Sequence, residues 1–308
     1  MTIAAKQQKS LAWVLLILLT LIWGTSFILI KRGLNAFDAD EVGALRMLSA
    51  GIILLPFAFS KIKHVKGTNW WLLFVVGFIG SFIPAFLFAK AETQIESALA
   101  GVLNALTPLF VLVLGALFFT QQFSKQQISG IVIGFLGTVF LVLAGSLNEL
   151  SSINYYGLFI VLATVCYGLN VNVIKFNIKG LSAMTVTSVS LGMVTPIALL
   201  YLLFFTDVPS QVINEPIARE SLVYIVILGI MSTAVAMTIF NKLIQITTPI
   251  FTSSVTYLIP IVAVLWGLWD GETLLLGHYL GMFGVLTGVY LTNRKKKATI
   301  SLSLRNKS

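Results

Sequence analysis

Apolar residues run through this chain in long unbroken stretches, and short segments between them hold almost all of the charge. Such a pattern is neither the alternation of a half-buried strand nor the narrow stripe of a surface helix. A helix rising about 1.5 Å per residue needs roughly 20 apolar residues to cross a hydrocarbon core of about 30 Å. Ten runs approach or reach that length: 13–30, 42–59, 70–88, 97–119, 128–145, 155–173, 184–205, 221–240, 250–269 and 274–291. The pattern predicts an all-α integral membrane protein with ten transmembrane helices. The first run follows Lys6 and Lys9 as a signal peptide would, yet it is too long for one and lacks a small-residue cleavage site. It is read as the first span.

The pattern also repeats. Residues 88–115, FAKAETQIESALAGVLNALTPLFVLVLG, share a skeleton with 240–267, FNKLIQITTPIFTSSVTYLIPIVAVLWG, 152 positions later. Phe88 falls on Phe240, Lys90 on Lys242, Pro108 on Pro260 and Gly115 on Gly267, and upstream Gly77 falls on Gly229 and Ser81 on Thr233. Trp23, Gly24, Ser26 and Lys31 lie 144 positions before Tyr167, Gly168, Asn170 and Lys175, while Gly130 and Gly137 lie 151 before Gly281 and Gly288. The chain is an internal duplication, with one five-helix repeat over 1–148, a second over 149–293 and a basic tail over 294–308. An odd number of spans per copy inserts the second copy upside down, so the two repeats are inverted. Inverted repeats supply two packings of nearly equal energy, the architecture of an alternating-access transporter.

Charge sets the expected orientation. With the N-terminus cytoplasmic, fifteen basic residues fall inside and only Lys31, Arg32, Lys90 and Arg219 outside, which predicts both termini in the cytoplasm. All eleven acidic residues fall on the outer side in the same topology. The net charge of +9 is dispersed over loops and tail, so it reads as a topology signal and not as a nucleic-acid surface. The 57% hydrophobic content, 10% charged residues and mean hydropathy of +0.96 lie far outside the range of soluble domains. Cys166 is the single cysteine, and His64 and His278 are isolated, so neither an intrachain disulfide nor a metal cluster is expected and no cofactor is implied. No phosphate-cradling loop argues for a pump, and no paired acids or nucleophile with a base argue for an enzyme. A channel or a non-transporting structural membrane protein is the remaining alternative.

The run IWGTSFILIKRGL at 22–34, the ALR at 44–46 and GETLLLGHYLGMFGVLTGVYL at 271–291 resemble the ten-helix drug/metabolite transporters of the EamA family, over nearly the whole chain. Where the second copy carries Glu272, the first carries Gln121, a departure from the family pattern. The resemblance implies export or exchange of a small metabolite across the cell (inner) membrane, through a central cavity formed by both halves.

Within the spans, each copy places a proline inside an apolar helix, at Pro108 and Pro260, and such interrupted helices point to a solute site. Trp23 and Tyr167 lie near mid-span, where each ring offers an apolar wall and one donor, or else packs between helices. Ser26 and Asn170 follow one turn later. Asn104 shares a face with Pro108, and Ser253 and Thr256 share one with Pro260, with Tyr257 adding a hydroxyl. Asn172, Asn241 and Thr252 are further neutral hydrogen-bonding groups. These residues predict a cavity for a neutral or zwitterionic metabolite such as an amino acid, or interhelical hydrogen bonding without a ligand. Arg46 is the one charge well inside a span: it snorkels toward Asp38 or Glu41, or serves as an anion-attracting or gating charge. Lys90 with Glu92 and Glu96 is a candidate outer gate, and Glu92, Glu96 or Glu272 a candidate coupling site. The seams Gly130–Gly134 and Gly277–Gly281 have the small-xxx-small spacing for close helix packing, within one chain or between two, so the protein is expected as monomer or homodimer in the bilayer.

Overall fold

The computed structural model describes residues 3–95, 97–143, 155–269 and 276–293, and every regular element among them is helical. Seven helical runs are long and apolar enough to cross a membrane: Gln7–Gly33, Ala39–His64, Asn69–Glu92, Ala100–Phe118, Gly157–Phe176, Ala183–Phe204 and Pro216–Ile246. They correspond to seven of the ten predicted runs. The runs at 128–145 and 274–291 extend into residues outside the described set, and 250–269 corresponds to the shorter apolar helix Pro249–Val262.

In chain order, α1 (Ile3–Gly33) leads into α2 (Ala39–Lys61), whose start is fixed by the Glu41 carboxylate accepting from the Asp38 N–H at 2.9 Å. Then α3 (Asn69–Gly77) passes through a π-helical turn, Phe78–Phe82, into α4 (Ile83–Glu92). Pro84 has no N–H to return to the preceding turn, and a widened turn accommodates it. Between α5 (Ser97–Asn104) and α6 (Thr107–Phe118) the helix breaks just ahead of Pro108. The Asn104 carbonyl that Pro108 cannot bond is taken by the Thr107 hydroxyl at 2.8 Å. After α7 (Lys125–Leu143) come α8 (Gly157–Phe176), α9 (Ala183–Phe204), the short α10 (Val208–Asn214) and α11 (Pro216–Ile227). A second π-helical stretch, Leu228–Val235, joins α11 to α12 (Ala236–Ile246), and it overlaps the position 152 residues after the first. The last three helices are α13 (Pro249–Ser253), α14 (Val255–Trp269) and α15 (Leu276–Asn293).

Packing recurs in exchanged form. A Cβ on Gly77 would lie 2.3 Å from the Ser190 carbonyl oxygen, and one on Gly229 would lie 2.7 Å from that of Arg46. Gly77 and Gly229 are 152 apart, while Arg46 and Ser190 are 144 apart. Where α2 crosses α9, Gly51 meets Thr195, again 144 positions on, at a would-be Cβ distance of 1.8 Å from its hydroxyl oxygen. The seam between α7 and α15 runs within the chain: Gly137 abuts Gly284 and Val285, and Gly288 abuts Gly134. Outside, the surface is apolar, with Leu117, Phe118, Phe204, Phe205 and Phe283 all more than two-thirds exposed, while Asn, Ser and Thr side chains are buried within. Water disfavours such an exterior and hydrocarbon does not, and many of the buried hydroxyls return their protons to carbonyls of the preceding helical turn, as Thr20, Thr187 and Thr195 do.

Candidate functional site

Between these helices lies a cavity lined by thirteen residues. Eight of its lining residues form four pairs related by the duplication: Trp23 with Tyr167, Phe88 with Phe240, Asn104 with Thr256, and Thr107 with Ile259. Ser26, Phe27, Ile30, Arg46 and Met237 complete the wall. The aromatic contacts are exchanged in the same sense: Trp23 meets Phe240 edge-on at 5.0 Å, and Tyr167 stacks on Phe88 at 6.1 Å.

The π-helical stretch Leu228–Val235 supplies two fixed partners. Trp23 donates its indole N–H to the Ser232 carbonyl at 2.9 Å, and Arg46 donates Nε–H to the Thr233 hydroxyl at 2.8 Å. A π turn leaves main-chain groups out of the regular ladder, and here one such carbonyl faces a side-chain donor. Trp23 therefore contributes an apolar wall, its donor being engaged. Arg46 is one of the residues lining the cavity, and its one hydrogen bond among the described residues goes to Thr233 and not to Asp38 or Glu41. Glu92, buried at the end of the membrane-length helix Asn69–Glu92, is within electrostatic range of Arg46.

Trp23, Ser26, Asn104, Tyr167, Thr256 and Arg46, expected from sequence, come together around this cavity. Asn170, Ser253 and Tyr257 do not line it. Asn170 is buried against Gly80, whose missing side chain leaves room for the amide; a Cβ there would lie 2.5 Å from Nδ2. Ser253 ends α13 and gives its hydroxyl proton to the Ile250 carbonyl, and the break at Ser254 interrupts the three-residue register that would align it with Thr256. Tyr257, one residue round the helix from Thr256, is fully buried toward α7, where its hydroxyl donates to the Ile131 carbonyl at 3.0 Å. Lys90 is exposed at the last turn of α4, and Glu96 lies outside the described residues.

Among the other polar groups, Asn172 donates to the carbonyls of Val111 and Gly168 and accepts from Gln121 at 2.6 Å, while Asn241 donates to Thr187. Both tie helices together away from the cavity. Gln121, the residue standing where the family pattern has an acid, thus anchors the α6–α7 loop on α8. Phe88 and Phe240 were legible in the repeat skeleton as a conserved pair of large rings within the chain, though nothing in their chemistry singled them out as walls. Phe27, Ile30 and Met237 carry no sequence signal beyond their apolar character.

Fold and cavity together define an integral, multi-pass membrane protein of the solute-transporting class. The chain belongs to the EamA-like transporter family, whose model matches residues 10–143 and again 155–294. It is 26% identical over 288 residues to an "uncharacterized transporter" of Archaeoglobus fulgidus, covering 92% of this chain and 99% of that one. It is also 26% identical to the "uncharacterized inner membrane transporter YedA" of Escherichia coli, covering 90% of this chain and 89% of the relative. A shorter match, 30% identical over 139 residues, covers 44% of this chain and 43% of a "probable amino-acid metabolite efflux pump" of Salmonella typhimurium. One crystal structure superimposes with a TM-score of 0.69 at 14% identity, over 92% of this chain and 96% of its own, a likeness of fold. The names of these relatives point to transport and not to enzymatic chemistry.

Proposed function

We propose that the protein is an alternating-access carrier of ten spans, two inverted five-helix halves with both termini in the cytoplasm, that exports or exchanges a small neutral or zwitterionic metabolite such as an amino acid. The observation that carries this reading is the cavity wall itself. Four pairs of lining residues are equivalent across the duplication, so the cavity sits on the axis relating the halves. A site on that axis is where an exchange of shapes between halves would move a solute from one face to the other. The Salmonella relative's name supports the amino-acid class.

The ends of the helices support a state closed toward the cytoplasm. Lys175 donates Nζ–H groups to the carbonyls of Ile244, at 2.9 Å, and of Thr247, gripping the end of α12 from α8. Gln8 reaches the Ile246 carbonyl from α1, and Gln245 the Leu181 carbonyl. Lys31, equivalent to Lys175, is exposed, and it makes no such bond to the end of α4 among the described residues. In the proposed topology Lys175 is inside and Lys31 outside, so the inner latch is made and the outer one is open.

Counterflow into proteoliposomes tests the reading. Preloading with an unlabelled metabolite should accelerate and saturate uptake of the same labelled compound. Unsaturable flux without counterflow would make the protein a channel, and no flux for any metabolite class would leave it a structural component.

A further inference from the structure

We infer that the solute carries a carboxylate and that Arg46 is its docking residue, with the Tyr167 hydroxyl as second donor. This rests on the carrier reading above and narrows it, since neutral solutes are excluded. A guanidinium has five N–H donors. Among the described residues only Nε–H is bonded, to Thr233, and that bond fixes the plane in which the four remaining donors lie. Such a fork matches a carboxylate in two parallel hydrogen bonds, the geometry for which arginine is suited above lysine. A cation in a cavity walled by aromatic rings favours an anionic guest over a neutral one.

The Tyr167 hydroxyl makes no hydrogen bond among the described residues and is within electrostatic range of Arg46. Glu92 lies within electrostatic range of the same guanidinium, so a guest carboxylate would share that cation with it. Toward the remainder of the cavity the chemistry reverses sign. Ser26 and Thr256 give their protons to the carbonyls of Trp23 and Ser253, which leaves their oxygens as acceptors, as an ammonium group requires. The residue equivalent to Arg46 in the second copy is Ser190, so the cation occurs once on an otherwise paired wall. A dipolar guest is held one way round.

Proteoliposome uptake of labelled alanine, leucine and phenylalanine, each compared with its carboxamide and with glucose and uridine, tests this. The expected result is flux of at least one acid more than tenfold above its amide, lost by more than tenfold in Arg46→Gln and partly kept in Arg46→Lys. The double variant Arg46→Gln/Glu92→Gln, which removes both charges together, should remain inactive toward acids. Gel filtration of each variant establishes that it is folded. Acids and amides moving alike, or wild-type acid flux in the double variant, would overturn the docking role and reduce Arg46 to half of a structural pair. Flux of glucose or uridine without flux of any acid would overturn the docking role and leave the carrier reading standing. No flux of any probe would overturn both.

Discussion

Trp23 and Tyr167 are equivalent by sequence and opposite in chemistry. The indole N–H of Trp23 is committed to the Ser232 carbonyl, so Trp23→Phe keeps the wall and removes one buried hydrogen bond, costing about 1 kcal/mol of stability. Its transport should change less than threefold. Tyr167→Phe keeps its stacking on Phe88 and removes only a hydroxyl free to meet a solute. Transport should fall about tenfold, the equivalent of about 1.4 kcal/mol, with thermal stability unchanged. Measuring flux and unfolding temperature for both variants separates the roles, and the opposite pattern would exchange them. Sequence spacing placed both rings at mid-span and left open, for each, a donor facing a solute or packing between helices. What it lacked was the π turn, because a one-residue widening of a helix leaves no periodic trace and no proline marks it in the second copy. Asn170 illustrates the same limit: its equivalence to Ser26 is visible, while its burial depends on the absence of a side chain at Gly80 on another helix.

At the level of helices, the duplication makes a test that few folds permit. Gly51 and Thr195 are equivalent positions that touch each other where α2 crosses α9. Gly51→Thr alone should overpack the crossing and cost roughly 1–3 kcal/mol. Exchanging the two, Gly51→Thr with Thr195→Gly, restores one small and one branched residue to the same contact and should recover most of that loss. Thermal unfolding of the three variants measures it, and double-variant losses that merely add would speak against the crossing lying on a symmetry axis. The apolar runs made most of these helices legible from sequence. Their breaks were legible only in part: Pro108 sits two residues past its interruption, but the second copy breaks at Ser254, six residues before Pro260. That offset separates Ser253 from the face its spacing suggested.

For the whole molecule, the proposal turns on orientation. If each half has five spans, Lys90 and Lys242, equivalent by sequence, reside in different compartments. Reporter fusions truncated after each should give opposite signals, periplasmic-type for Lys90 and cytoplasmic for Lys242, and a shared compartment would end the inverted arrangement. The apolar exterior was readable in advance, since the apolar runs are long enough to cover whole helices. The contents of the cavity were readable only as a list of polar types, because selecting among Asn104, Asn170, Asn172 and Asn241 requires knowing how the helices roll against one another.

The grip of Lys175 on α12 has a genetic corollary. Its acceptors are main-chain oxygens, present whichever amino acids occupy 244 and 247. Selection can therefore retune or erase that fastening through a single codon on the donor side, while the receiving side tolerates side-chain drift without loosening it.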